Sequence, residues 1–339
     1  MDFEEFTRQH FCAPRKTLLV FGSGFDPRAG EIPRTLSQCG TSVEAWLLRE
    51  DRPAPQEVNV QSADEATDRL KACFGKAEVV RFDVFESDGA LAVPASLVAH
   101  APMSNLDEYD DIILDFSALS LGVSYPLAKL FYDFALERKK NLHLAVTASS
   151  RIDGAIRASY DALVQSPRGF YWPALSDAAA AVMWVPQLQR GLTEVLERIG
   201  SDFDASDICP IVPFPTRGVR EPEELFIEYE RLLNNAWHVD PRDVIYAVES
   251  DPLDIYRTLV RISRERKEVF EGLGPSEIVL TPMGSKVVAL GALMAALEEG
   301  LSVRYVEARD YEGYFPANEK CEKMSVWLLG GPQWDPHPG

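Results

Sequence analysis

The stretch Ile278-Val-Leu-Thr-Pro-Met-Gly-Ser-Lys286, which continues into the alanine-rich run 287–300, decides the fold of this chain. An apolar run, a polar loop and an apolar helical pattern together predict a strand–loop–helix unit. The first turn of such a helix leaves backbone N–H groups unpaired and carries partial positive charge, so the loop favours a phosphate or a carboxylate. The residues that we expect to contact this anion are Thr281, Gly284, Ser285 and Lys286.

A second loop of this kind lies near the N-terminus, where Gly22-Ser-Gly-Phe-Asp-Pro-Arg28 follows the apolar run 17–21. Its paired glycines allow a tight turn and a close approach of the backbone to a ligand. The loop differs from the dinucleotide fingerprint because Pro27 replaces the third glycine. Two such loops predict a nucleotide-type ligand without defining a reaction. The candidate ligand-binding residues of this loop are Gly22, Ser23, Gly24, Asp26 and Arg28.

Three further candidates lie at predicted strand ends. Asp115 and Ser117 end the apolar run 111–116, and open α/β sheets bind ligands at the carboxyl ends of their strands. Asp115 is a candidate general base or ribose ligand and Ser117 a candidate phosphate ligand, with a local capping network as the alternative for both. Arg217, in a proline-rich segment, is a candidate phosphate ligand because arginine favours such groups.

Apolar runs and helical patterns alternate along the chain, which predicts an α/β fold of two Rossmann-like parallel-sheet units joined by a helical segment. Strands that are apolar on both faces belong to sheets covered on both sides. The run 181–185 fits either a strand or a buried helix. We expect buried parallel strands at 17–21, 111–116, 277–281 and 302–307. The expected boundaries are 1–150 for a Rossmann-like domain, 151–204 for a mostly helical connector, 205–330 for a second Rossmann-like domain and 331–339 for a tail.

Composition and charge exclude several classes of protein. A net charge of −19 over 339 residues argues against broad nucleic-acid binding, which needs a basic surface. The longest apolar run, 178–185, is too short to cross a bilayer, and the first residues do not form a secretory leader. Five dispersed cysteines are typical of reduced thiols. We therefore expect a cytoplasmic protein without membrane contact, and a protein partner or a homo-oligomer remains open.

Several chemistries lack a motif in this sequence. There is no G-x-S-x-G elbow and no G-x-x-x-x-G-K-[ST] phosphate loop. The histidines do not have the spacing of a zinc site, so we expect no metal. These motifs do not identify a cofactor. The five histidines are His10, His100, His143, His238 and His337.

The N-terminal loop and its strand resemble the first motif of class I methyltransferases of the leucine carboxyl methyltransferase-like group, in which a hydrophobic strand precedes G-x-G-h-D-x-R. This resemblance covers about the first 150 residues. It implies S-adenosylmethionine-dependent methyl transfer, with Glu50 and Asp51 placed to hold a ribose hydroxyl after the second strand.

The loop Thr281–Lys286 resembles a motif of CARF (CRISPR-associated Rossmann fold) sensor domains, in which a strand ends in a T-G-x-[ST]-K loop before a helix with small residues. Pro282 and Met283 depart from the usual glycine-rich spacing. The whole chain is also similar to an uncharacterised bacterial Rossmann-like family, which implies no activity. The leading interpretation is a cytosolic prokaryotic protein that binds or senses a nucleotide-type ligand, and the CARF-like resemblance implies a role in antiviral defence signalling. The alternatives are a methyltransferase and a non-catalytic interaction subunit of a multi-protein complex.

Overall fold

The computed structural model describes residues 3–11, 15–38, 42–53, 55, 57–85, 103–170, 181–313, 315, 321 and 323–330. The chain forms two compact units. Unit 1 consists of Met1–Ser159 with Ala308–Gly339, and unit 2 of Tyr160–Glu307. These units differ from the boundaries expected from sequence, because the end of the chain returns to unit 1. Pairing between segments so far apart leaves no trace in local periodicity.

The described helices and strands have the following bounds. The helices are α1 Phe3–Phe6, α2 Glu31–Ser37, α3 Glu57–Lys71, α4 Leu121–Arg138, α5 Ser150–Ala155, α6 Thr193–Gly200, α7 Glu221–Arg231, α8 Pro252–Phe270 and α9 Lys286–Glu299. The strands are β1 Lys16–Gly22, β2 Ser42–Asp51, β3 Lys76–Asp83, β4 Asp111–Asp115, β5 Asn141–Ala148, β6 Arg157–Ser159, β7 Val164–Gln165, β8 Ala181–Pro186, β9 Asp207–Ile208, β10 Ile211–Pro213, β11 Ile245–Ala247, β12 Ser276–Thr281, β13 Ser302–Val303, β14 Tyr305–Val306, β15 Asp310–Glu312 and β16 Lys323–Gly330. Helix α1 continues into a π-helical turn, Thr7–Phe11.

The central sheet of unit 1 has the strand order β3-β2-β1-β4-β5-β16. Strands β1 to β5 are parallel, and β16 is antiparallel to β5 at the edge. All five residues of β4 are buried, as expected for a strand that is covered on both faces. This arrangement confirms the predicted α/β fold with a parallel sheet. It also assigns β16 to unit 1, although the sequence placed residues 323–330 in a second domain.

The sheet of unit 2 has the order β13-β12-β8-β9 and is also parallel. The parallel pair β10 and β11 adjoins it through a bridge between Gln187 and Ile211. The sequence allowed either a strand or a buried helix for the run 181–185. Its pairing with β12 shows that it is a strand, β8. Because β8 is a member of this sheet, unit 2 begins earlier in the chain than the expected boundary at 205. The interval 151–204 contains β8 as well as helices.

Two other elements differ from expectation. The run 302–307 divides into β13, parallel to β12, and β14, antiparallel to β7. The sequence pattern from Tyr125 to Arg138 predicts a helix with Pro126 in its first turn, whereas α4 begins at Leu121, so that Pro126 lies inside it. Gly122 and Val123, which precede Pro126 in the helix, are buried. Their burial outweighs the preference of proline for the first turn of a helix.

Helix α9 is apolar on every side, and all its residues from Val287 to Leu297 are buried. A helix without a polar face must be covered on all sides. Against α8 it approaches so closely that a Cβ at Gly291 would overlap the carbonyl of Pro252 and the side chain of Ile255. No helix in the described ranges has the length and apolarity that crossing a bilayer requires.

We predict that Gly291→Ala lowers the free energy of unfolding by about 1–3 kcal/mol, the usual cost of overpacking a filled interior. The added methyl group has no space between α8 and α9. Urea unfolding would measure this change. Gly75→Ala is a matched control because its Cβ meets no atom within 4 Å. Equal midpoints for the two variants would contradict the close packing.

Candidate functional site

Each parallel sheet has one point at which the strand order reverses. In unit 1 this point lies between β1 and β4, and in unit 2 between β8 and β12. Ligands of open α/β sheets bind outside the carboxyl ends of the strands at such a point. Both loops selected from the sequence, 22–28 and 281–286, follow strands that border these points.

In unit 2 the loop after β12 is buried in its first half and partly exposed in its second. Thr281 is fully buried, and its hydroxyl accepts a hydrogen bond of 2.9 Å from Trp184 Nε1. Met283 is buried as well, and its sulfur accepts from the backbone N–H of Val306. The structure corrects the prediction that Thr281 contacts the ligand. The buried indole of Trp184 needs an acceptor, and the Thr281 hydroxyl supplies it. The accessible part of the loop is Gly284–Lys286.

Gln187 is the side chain that packs against this loop. It follows β8 and is 2 % exposed, and a Cβ at Gly284 would overlap its amide. Gly284 thus makes room for Gln187, whereas the sequence predicted it as a contact of the anion. The Oε1 atom of Gln187 has no hydrogen-bond partner. A buried amide oxygen without a partner costs free energy, so it needs an explanation such as an external donor.

Ser285 is the N-cap of α9, and its Oγ accepts from the backbone N–H of Val288 at 3.4 Å. Lys286 begins the helix and is partly exposed. Arg217 is exposed and follows β10, a strand of the separate β10–β11 pair, and its backbone N–H donates to Glu249 Oε2 at 3.1 Å. The structure therefore brings Gln187, which sequence reasoning missed, to the predicted anion loop. The sequence would have identified Gln187 as a strand-end residue only if the run 181–186 had been predicted as a strand.

In unit 1 two predicted ligand residues form an internal ion-pair group. Arg28 is 2 % exposed, and its guanidinium contacts Asp26 at 2.7 Å and Asp153 at 2.6 Å. Burial opposes the charge of Arg28, but the two carboxylates outweigh it and raise its pKa. Asp26 also accepts from the backbone N–H of Arg28 and so caps the turn Pro27–Gly30. These charges stabilise the loop from inside.

The glycines of the same loop have different surroundings. A Cβ at Gly22 would lie 2.9 Å from the carbonyl oxygen of Ala118, so Gly22 permits the loops after β1 and β4 to touch. Ser23 is buried, and its N–H donates to the Leu48 carbonyl at 2.8 Å. Gly24 is partly exposed, and a Cβ there would meet no atom within 4 Å. Of the two glycines, Gly24 alone has open space on its Cβ side.

Asp115 ends β4 and is 1 % exposed. Its Oδ1 accepts from the N–H of Ser117 at 2.9 Å and from the Ser117 hydroxyl, while Oδ2 has no partner. Ser117 Oγ accepts in turn from the N–H of Thr147 at 2.7 Å. Burial raises the pKa of Asp115 to about 7, despite the hydrogen bonds from Ser117. A carboxyl group that titrates near neutrality at a strand end can exchange a proton with a ligand.

Ser120, which ends the same loop after β4, is the N-cap of α4. It is 4 % exposed, and its Oγ has no partner and makes no capping hydrogen bond. Its N–H donates to Glu50 Oε1 at 2.8 Å, and Arg52 donates to Glu50 Oε2 at 2.7 Å. Glu50, which the methyltransferase resemblance assigns to a ribose, is therefore already held by protein donors.

At the opposite, amino edge of this sheet, three potential metal ligands converge, although the histidine spacing predicted none. Asp111 Oδ1 lies 3.0 Å from His10 Nε2 and 2.8 Å from His143 Nε2. The three ligand atoms are all within 4.8 Å of one another. Burial disfavours the charge of Asp111, but hydrogen bonds from His143, Arg15 and His10 hold its pKa well below the usual range. Burial lowers the pKa of His143. Residues 10, 111 and 143 are too far apart in sequence for a spacing rule.

Comparisons with known proteins leave the function open. No protein-family model and no curated protein matches this chain. Among solved structures, a candidate universal stress protein from Pseudomonas aeruginosa UCBPP-PA14 is similar over 88 % of this chain and 95 % of its own length. The two sequences are 12 % identical and the TM-score is 0.23, so this likeness carries no argument about the site.

We predict a pH-dependent contribution to stability from Asp115. Because its pKa rises from 3.8 to about 7 on folding, the folded protein keeps a proton that the unfolded chain releases. The free energy of unfolding should therefore fall as pH increases between these values and level off above them. Asp115→Asn cannot ionise and should remove this part of the slope. Urea unfolding of both proteins at a series of pH values measures the difference, and identical pH profiles would show that Asp115 is charged in the folded state.

Proposed function

We propose that this protein binds a nucleotide-type ligand at the carboxyl edge of the unit 2 sheet, where Gln187 meets the start of α9. The observation that carries the proposal is the buried Gln187 amide, whose oxygen has no partner, packed against Gly284. It coincides with the reversal of strand order between β8 and β12. A helix start alone would be a weaker argument, because many such termini are satisfied by water.

The chemistry of these groups fits two parts of a nucleotide. The first turn of α9 offers backbone N–H groups and a positive dipole end to a phosphate, and Lys286 adds a full charge. The Gln187 amide carries both an acceptor and donors, which suits the donor–acceptor edge of an adenine base. The CARF-like motif extends the proposal to cyclic oligonucleotides as ligands and to a role in defence signalling.

A thermal-shift screen against ATP, cyclic oligoadenylates, NAD and S-adenosylmethionine tests this proposal. A ligand at about 100 times its dissociation constant stabilises the folded protein by about 2.7 kcal/mol. For the ligand that binds, Lys286→Ala should weaken affinity about ten- to a hundredfold, the value of one charge-assisted contact. Gln187→Leu should weaken it separately, because leucine offers neither donor nor acceptor.

Lys71→Ala is the matched control, since it removes one exposed lysine from the last turn of α3 in unit 1. It should leave affinity unchanged apart from a small effect of net charge. Calorimetry of the three variants gives the comparison. Wild-type affinity in both Lys286→Ala and Gln187→Leu would refute this location of the site, and no stabilisation by any ligand would favour the interaction-subunit alternative.

The second candidate function is S-adenosylmethionine-dependent methyl transfer in unit 1. Two observations favour it: the loop 22–28 borders the reversal between β1 and β4, and Gly24 has open space on its Cβ side. Asp115, with its pKa of about 7, would accept or donate a proton at that edge. The existing hydrogen bonds to Glu50 oppose this candidate, because a ribose would have to displace the Ser120 N–H or Arg52.

Gly24→Val tests this second candidate. Because a Cβ at Gly24 would meet no atom within 4 Å, the variant should fold normally while filling the space beside the loop. If the adenosyl ligand lies there, calorimetric binding of S-adenosylmethionine should disappear. Undetectable binding to the wild-type chain at millimolar ligand, or equal binding by Gly24→Val, would exclude it.

A further inference from the structure

The amino edge of the unit 1 sheet holds a group of side chains that neither proposed ligand site uses. Asp111 begins β4 and is fully buried, and His143 lies in β5 and is 1 % exposed. His10 comes from the π-helical turn Thr7–Phe11, and 14 % of its side chain is exposed. Three separate segments of the chain thus contribute one group each.

These groups converge on a single oxygen atom. Both imidazoles direct Nε2 at Asp111 Oδ1, with distances of 3.0 Å for His10 and 2.8 Å for His143. The three atoms, two nitrogens and one carboxylate oxygen, lie within 4.8 Å of one another. Imidazole nitrogen with carboxylate oxygen is a donor set that zinc and similar divalent ions accept.

Two neighbouring side chains, Arg15 and Asn141, resemble parts of an outer coordination shell, whereas the buried Nδ1 of His143 has no hydrogen-bond partner in the described residues. Arg15 donates through Nε to Asp111 Oδ2, which leaves Oδ1 directed at the two histidines. Carboxylates that bind metals are commonly held in this way by a second hydrogen bond. Asn141 is 3 % exposed, its Nδ2 lies 3.0 Å from Asp111 Oδ1, and its own Oδ1 has no partner. Exchange of the two amide atoms, which differ little in shape, would place a fourth oxygen donor beside the group.

An apolar shell limits the access of water to the same group. The Phe6 ring stacks on His10 with centroids 5.0 Å apart and lies 5.5 Å from His143. Phe11 approaches His143 edge to face at 5.2 Å. Such a shell lowers the local dielectric and strengthens the attraction between a cation and its ligands.

We propose that His10, Asp111 and His143 bind a divalent transition-metal ion of the Zn²⁺ type, and that this ion fastens residues 3–11 to the sheet of unit 1. Both imidazoles bind as neutral rings through Nε2, with the ring proton on Nδ1. Mg²⁺ and Ca²⁺ do not compete, because they prefer oxygen ligands and this site offers two nitrogens. The competing arrangement is a hydrogen-bonded group in which both Nε2–H groups donate to Asp111.

Metal titration of the full chain, prepared without added histidines and freed of metal by a chelator, tests this proposal. Zn²⁺ should bind with one equivalent per chain in calorimetry and raise the unfolding temperature, while Mg²⁺ should do neither. Co²⁺ should give the visible absorption of a low-coordinate site and be displaced by Zn²⁺. Failure of Zn²⁺ to bind, or binding without a change in unfolding temperature, would overturn the proposal in favour of the hydrogen-bonded group.

His10→Gln is the principal variant, because glutamine keeps a donor for Asp111 and the position is partly exposed. It should weaken Zn²⁺ at least about tenfold, since even changes outside the ligand set have effects of that size. The unfolding temperature of the metal-free protein should change little. His238→Asn is the control: His238 is exposed in unit 2 with φ of 49°, a left-handed conformation that asparagine tolerates. Equal Zn²⁺ affinity in wild type and His10→Gln would overturn the assignment.

Discussion

The constraint on which this structure depends is the burial of parallel strands from both faces. Residues of β4 are all buried, and β1 is buried from Thr17 to Gly22. Side chains along such strands are mostly apolar, since a polar group there loses its water and needs a replacement partner. Polar and charged residues are therefore displaced to the ends of the strands. The candidate sites of both units lie at strand ends for this reason.

At the carboxyl edge of unit 1, the chain itself satisfies most of the polar groups that it gathers there. Arg28 is neutralised by Asp26 and Asp153, and Glu50 is held by Ser120 and Arg52. Isolated buried charges are costly, so each is paired. Asp115 Oδ2 and Ser120 Oγ are among the buried atoms of unit 1 that have no hydrogen-bond partner in the described part of the chain.

In unit 2, packing in the core determines part of the loop 281–286. Thr281 turns inward because Trp184 needs an acceptor in the core, and Gly284 makes space for Gln187. The motif T-P-M-G-S-K therefore has two roles. Its first residues are part of the core, and only its last three face outward. A motif read as a ligand-binding loop can thus owe half of its residues to packing.

The sequence by itself determined the class of fold, because apolar periodicity is a local property that burial imposes on each strand and helix. It located β1, β4, β12 and α9, whose apolar runs are visible in the sequence. Only the tertiary structure decided that 181–186 is a strand and that β16 returns to unit 1, because both depend on pairing with distant segments. It also decided which polar residues remain unsatisfied, and it joined His10, Asp111 and His143. Spacing rules detect ligands on one helix or loop, whereas these three meet across a sheet.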